Sequence, residues 1–169
     1  MLFTEVYKYQ FLFAFCFCDS LTQISIPSSV TKIGSHAFER CLKLTHISIP
    51  SSVTQIKDGT FLSCSTLLQI SIPSSVSKIK HCTFERCSSL KQITIPSSVT
   101  KIGMYAFKEC SSLVEMSIPS SVTKIKRGAF KGCSSLKQVL IHSPTTQIGE
   151  NVFEGCNYML QILHTSSLT

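Results

Sequence analysis

Leu21–Lys43 reads LTQISIPSSVTKIGSHAFERCLK, and the chain repeats this 23-residue unit six times without insertion or deletion. The following units open at Leu44, Leu67, Leu90, Leu113 and Leu136, and Met159 opens a seventh, shortened one. A fixed short period means that each unit is one supersecondary element, unable to bury its apolar face alone and completed by its neighbours. The expected fold is therefore a repeat solenoid, mainly β. Its expected parts are an N-terminal partial repeat or cap over 1–20, six repeats over 21–158, and a truncated seventh repeat or cap over 159–169, all in one solenoid domain.

Within the unit, Ile24 and Ile26 alternate with Gln23 and Ser25, the period of a half-buried strand. Pro27 stops that strand because it has no N–H to give a ladder. Ser28 and Ser29 form a polar turn whose hydroxyls can satisfy backbone groups. Val30 and Ile33 return to the core at a three-residue spacing, which predicts a short bent or extended segment. Ala37, Phe38 and Cys41 recur at offsets of three and four, which predict a short helical or 3₁₀ turn facing inward. The apolar burial of one unit falls short of the entropy lost in ordering 23 residues, so contacts between coils must supply the rest. In the middle coil Leu90, Ile93, Ile95, Val99, Ile102, Phe107 and Cys110 are the expected core.

Seven of nine cysteines fall in one column, from Cys18 through Cys156, with Cys16 and Cys82 outside it. The column reads as a small apolar side chain filling one core slot, since a disulfide demands a Cβ geometry that regular stacking need not supply. Ala14, Phe15 and Cys18 match Ala37, Phe38 and Cys41, so the apolar run Phe11–Cys18 reads as the end of a partial repeat. As a membrane span it is far too short, and no A-x-A-like cleavage site follows it, although Lys8 precedes it. In the seventh unit Met159 replaces leucine, His164 replaces isoleucine and Leu168 replaces valine, as suits either a cap or a fragment of a longer array.

The full pattern, L-x-x-I-x-I-P-S-S-V-T-x-I-x-x-x-A-F-x-x-C-S-S, resembles the BspA-like leucine-rich repeats from Ala14 to Thr169. That resemblance implies a right-handed leucine-rich-repeat coil with a parallel sheet on one face. It also implies a surface antigen or adhesin, at the cell surface or secreted, that recognises host matrix protein, other cells or glycan. The alternative is a cytoplasmic interaction scaffold or a structural spacer.

Three surfaces are candidates for binding. Gln23, His46, Gln69, Gln92, Glu115, Gln138 and Gln161 form a polar column on the strand face, either a self-satisfying amide ladder or a hydrogen-bonding platform for protein or glycan. Lys32, Lys78, Lys101 and Lys124 form a basic column, with Lys57, Lys80, Lys126 and Arg127 nearby. It is either a solvated face or a dock for an acidic polysaccharide, consistent with the net charge of +7. Nucleic acid fits poorly, because the aromatics occupy core columns and cannot stack on bases. Leu140, Leu160 and Leu163 replace polar residues near the C-terminal end and are expected to form an apolar patch for self-association or docking, or else a drifted cap.

Chemistry is hard to place on so even a repeat. The five histidines lie in five different columns, none with a repeated carboxylate partner. No nucleophile-elbow, phosphate-loop or zinc-protease motif occurs, and His81 beside Cys82 is a weak metal pair because adjacent residues rarely converge on one ion. The sequence therefore implies no enzyme, no cofactor and no metal.

Overall fold

The computed structural model describes residues 13–165, which wind into a parallel β-solenoid with one coil per 23-residue unit. Lys8, the first two residues of the Phe11–Cys18 run, and Leu168 lie outside the described residues. Numbered in chain order, strands fall alternately on two sides of the coil. The first ladder holds β1 (Gln23–Ser25), β3 (His46–Ser48), β5 (Gln69–Ser71), β7 (Gln92–Thr94), β9 (Glu115–Ile118), β11 (Gln138–Ile141) and β13 (Gln161–His164), hydrogen-bonded in three groups, β1–β3, β5–β7 and β9–β11–β13. The second holds β2 (Lys32–Ile33), β4 (Gln55–Ile56), β6 (Lys78–Ile79), β8 (Lys101–Ile102), β10 (Lys124–Ile125) and β12 (Gln147–Ile148), hydrogen-bonded in two groups, β2–β4 and β6–β8–β10–β12. Every pairing is parallel and in repeat register, so Ile24 meets Ile47 and Lys101 meets Lys124. The expected single sheet is thus joined by a second ladder, built where the sequence predicted only an extended segment.

The core follows the columns. Leu90, Val99, Ile102, Phe107 and Cys110 are fully buried, and Ile93 and Ile95 nearly so. Phe15, Phe38, Phe61, Phe84, Phe107, Phe130 and Phe153 form one continuous stack with neighbouring centroids 5.2–5.7 Å apart. Offset stacking at this spacing is a favourable aromatic arrangement.

The AFxxC segment forms no helix or 3₁₀ helix. Two residues in each coil are left-handed, such as His36 and Arg40 (both φ 56°), Gly59 and Ser63, and Gly128 and Gly132. Left-handed residues interrupt a right-handed helix. They turn alternate N–H groups along the solenoid axis instead. The N–H groups of His36, Phe38 and Arg40 donate to Asp58, Thr60 and Leu62 carbonyls in the next coil, at 3.0, 2.8 and 2.8 Å. Those of Glu39 and Cys41 close i→i+3 turns on His36 and Phe38. The three- and four-residue spacing that suggested a helix is produced by this turn ribbon.

Side-chain hydroxyls and thiols tie the coils together. Each proline-serine-serine turn is closed by a valine N–H, as Val99 donates to Pro96 at 3.0 Å. The second serine then donates to the preceding coil: Ser52, Ser75, Ser98 and Ser121 reach the carbonyls of Val30, Val53, Val76 and Val99 at 2.6–2.8 Å. Cysteines do the same in the core. Cys64, Cys87, Cys110 and Cys133 each direct Sγ at a phenylalanine carbonyl of the preceding coil, 3.0–3.2 Å away. All nine cysteines are unbridged, and burial pushes the Cys87 and Cys110 thiols far above their ordinary pKa, which keeps them as S–H donors. Where threonine replaces alanine, its buried hydroxyl is satisfied locally: Thr60 and Thr83 donate to Lys57 and Lys80 carbonyls at 2.8 and 3.0 Å.

Candidate functional site

The first ladder carries the amide column. Inward Ile47, Ile70 and Ile93 anchor each strand in the core, so the flanking residues must face out. Gln23, His46, Gln69, Gln92, Glu115 and Gln161 are exposed, and Gln138 is half-buried. Strict register places them one above another, Gln23 on His46, Gln69 on Gln92 and Gln138 on both Glu115 and Gln161. Of the two alternatives for this column, the amide ladder is not seen: among the described residues no side-chain hydrogen bond links one glutamine to another. The amides instead project from a shallow groove over the first four coils, lined by Gln23, Ser25, His46, Ser48, Gln69 and Gln92, among others. His46 is oriented by its own coil, with Nδ1 2.9 Å from the Thr45 hydroxyl.

The second ladder carries the lysines. Register stacks Lys78, Lys101 and Lys124 directly, with Gln147 following, while Lys32 stands apart on Gln55. All four lysines are exposed. Lys80 and Lys126 flank the row in one shallow groove, whose floor includes Ile79 and Gly103. A Cβ at Gly103 would lie 2.5 Å from the Lys80 carbonyl group, so glycine here lets the two coils approach closely.

The turn ribbon carries a different charge pattern. Lys108 reaches Glu85 at 2.8 Å, Arg86 reaches Glu109 at 2.8 Å, and Lys131 reaches Glu154 at 3.0 Å, each pair one repeat apart. The Arg86 hydrogen bond holds the Glu109 carboxyl below its ordinary pKa. The stabilisation from this pair is therefore present above the ordinary carboxylate range and lost as pH falls through the depressed value. Pairs this exposed contribute little individually, but they leave few carboxylates free for the lysine face.

The His81–Cys82 pair does touch, with Sγ 3.3 Å from Nε2. Burial pushes the Cys82 thiol up to about 12, with Glu85 adding to the effect, so the thiolate a nucleophile needs is suppressed. His81 is engaged elsewhere, its Nδ1 lying 2.8 Å from the Met104 carbonyl. Among the described residues no group of three or more histidine, cysteine, aspartate or glutamate side chains is placed to hold a metal ion. His142 lies between the Ser117 hydroxyl at 2.9 Å and the Thr165 hydroxyl at 3.3 Å, bridging the last coils.

At the C-terminal end the three leucines do not form one patch. Leu140 and Leu163 pair across β11 and β13, Leu140 half-buried and Leu163 42% exposed. Leu160, however, turns inward and packs against the core, while Met159 in the leucine column is 67% exposed. The cause is a local rewinding. Asn157 Oδ1 accepts from the Met159 N–H at 2.8 Å, and the Asn157 carbonyl accepts from the Leu160 N–H at 3.0 Å. In the preceding coils it is the leucine-column residue whose N–H closes this turn, as Leu136 does on Cys133. Tyr158, Ile148 and Ile162, which the sequence reading missed, join Leu163 and Met159 as the exposed apolar residues at this end. No helix among the described residues is long and apolar enough to cross a membrane.

Comparison with known proteins agrees with this geometry. The BspA type leucine rich repeat region matches in six copies over residues 11–110 and 59–169. Among solved structures, a leucine rich repeat protein of T. pallidum is 28% identical with a TM-score of 0.67, covering 83% of this chain and 78% of its own. A leucine-rich repeat protein of Bacteroides ovatus is 24% identical with a TM-score of 0.57, over 92% of this chain and 58% of its own. The pneumococcal vaccine antigen PcpA shares the fold at 19% identity, with a TM-score of 0.61 over 87% of this chain and 46% of its own. No curated protein matches.

Proposed function

Because the chain belongs to the BspA-type leucine-rich-repeat family, we propose that it is a non-catalytic recognition module that binds protein or glycan through its amide face. Leucine-rich repeats are generally binding scaffolds, and no constellation among the described residues departs from that role. The observation that carries the reading is the column of exposed polar side chains, Gln23, His46, Gln69 and Gln92, along a shallow groove over four coils. Amide groups spaced by a strand separation of about 4.8 Å offer both donors and acceptors at fixed intervals. A scaffold locked by inter-coil bonds gives them this order before a ligand arrives, so little ordering entropy is lost on binding. Seen this way, the chain is part of a cell-surface antigen or adhesin, a role that accords with the description of PcpA as a vaccine antigen.

The test is direct. The full chain is screened against matrix proteins and a glycan array, and the strongest ligand is then titrated against Gln69→Ala/Gln92→Ala. Affinity is expected to fall at least about tenfold, the loss from truncating a small central cluster, with unchanged thermal stability because both residues are exposed. Ligand binding indifferent to this pair would overturn the assignment of the face. Protease shaving of intact cells separates surface display from the intracellular-scaffold reading. Loss of the chain together with surface markers supports display, and survival while those markers vanish supports the scaffold.

A further inference from the structure

We propose that the lysine row of the second ladder is a binding site for a linear sulfated polysaccharide, laid along the solenoid axis across the coils of β6, β8 and β10. The site lies on a different ladder from the amide groove, so its failure would leave that reading untouched.

Geometry carries the proposal. Parallel register puts Lys78, Lys101 and Lys124 at equivalent points of three successive strands, and a ladder spacing of about 4.8 Å sets the three side chains out from backbone positions spanning about 10 Å. Lys80 and Lys126 border the same groove, and Gly103 between them contributes no side chain. Five cations therefore surround a notch floored by backbone. None of the five makes an ion pair among the described residues. Three carboxylates are used elsewhere: Glu85, Glu109 and Glu154 pair with Lys108, Arg86 and Lys131 on the turn ribbon. Asp58, the one carboxylate lining the groove, accepts a hydrogen bond on Oδ1 from the His81 N–H at 3.0 Å.

Neighbouring lysines of the row rise from strands about 4.8 Å apart, less than the screening length of physiological salt, about 8 Å, so solvent does not cancel their repulsion. A polyanion does, and it releases its own counterions on binding. The required ligand is a chain whose anionic groups recur along a line. The groove offers no tyrosine, phenylalanine or tryptophan ring for a run of bases to stack on; its non-lysine lining is Asp58, Ile79, His81, Gly103 and Met104, and the one ring, His81, has its Nδ1 2.8 Å from the Met104 carbonyl. Single-stranded nucleic acid draws much of its affinity from such stacking, whereas a sulfated sugar chain does not need it.

The experiment measures fluorescence polarisation of a labelled heparin oligosaccharide titrated with the full chain at 50 and 200 mM salt. Three neutralised lysines correspond to a roughly 20- to 40-fold loss of affinity over that range, taking the counterion-release slope of nucleic acids as a guide. The variant K78Q/K101Q/K124Q is expected to weaken binding at least tenfold at 50 mM. Glutamine already occupies this column at Gln55 and Gln147, so the substitution suits the fold. A charge-matched variant, K43Q/K91Q/K137Q, removes three exposed lysines from other columns and is expected to bind within about twofold of the parent. Chemically desulfated heparin is expected not to bind. Absence of binding at 50 mM salt would overturn the site, as would equal losses in the two triple variants, which would mean that only net charge matters. Single-stranded DNA or polyphosphate binding as tightly as heparin, with the same dependence on the row, would overturn its assignment to a sulfated glycan.

Discussion

Phe107→Ala is expected to lower stability by about 3–5 kcal/mol, read as a fall in the midpoint of denaturant unfolding. Phe107 is fully buried, stacked between Phe84 and Phe130 at 5.3 and 5.2 Å. Its removal opens a cavity that two rigid coils cannot close, because both ladders hold their spacing. In a repeat protein each coil touches only its neighbours, so a weakened central interface also uncouples the two halves. Unfolding is therefore expected to broaden or split into two steps. Phe153→Ala is the comparison. Phe153 is half-buried and has a ring neighbour on one side, Phe130 at 5.7 Å, so it should cost less than half as much. A loss under about 1 kcal/mol at Phe107, or equal losses at both sites, would contradict the continuous-core account.

The parts of this fold that could be read from the sequence are those stated identically in every unit. Phenylalanine, the first leucine and the cysteine recur with almost no substitution, because a side chain clamped between equivalent neighbours has one acceptable size. The left-handed ribbon was not legible because backbone, not side chain, is repeated there. His36, Gly59, Cys82, Tyr105, Gly128 and Asn151 share one conformation with almost no chemistry in common. Glycine at Gly59, Gly128, Gly132 and Gly155, with Asn151 beside them, was the available signal. The second ladder escaped notice because each of its strands is two residues long, too short to show an alternation.

The candidate surfaces divide in the same way. Register alone placed the lysine and amide columns, since a strict period fixes which residues stack. Whether stacked amides bond to each other or face solvent is a matter of rotamers, which periodicity cannot report. Leu160 went the other way: one asparagine, Asn157, rewinds the turn and exchanges Leu160 with Met159 at the core. A substitution that reverses which neighbour is buried leaves no trace in a column-by-column reading.

Gly128→Ala is expected to destabilise the chain by about 2–5 kcal/mol, for two separable reasons. Gly128 has φ 59°, and a non-glycine residue held there costs about 1–2 kcal/mol. In addition, its Cβ would lie 2.4 Å from Cε1 and 2.6 Å from Cδ1 of Tyr105. The ring would have to move, and such overpacking adds about 1–3 kcal/mol. Gly155→Ala isolates the first term, because Gly155 is also left-handed at φ 70° while its nearest atom, Gly132 Cα, is 3.6 Å away. That variant should lose only about 1–2 kcal/mol. Removing the ring isolates the second: in a Tyr105→Gly background, Gly128→Ala should cost no more than Gly155→Ala. The difference, a coupling of about 1–3 kcal/mol, falls in the range of residues in direct contact. Thermal and denaturant unfolding of the four variants close the cycle. Identical losses at Gly128 and Gly155 would show that the tyrosine ring yields freely. Neutral behaviour at both would mean that the left-handed ribbon, and with it the inter-coil bonding of the turn, is not the conformation this sequence adopts.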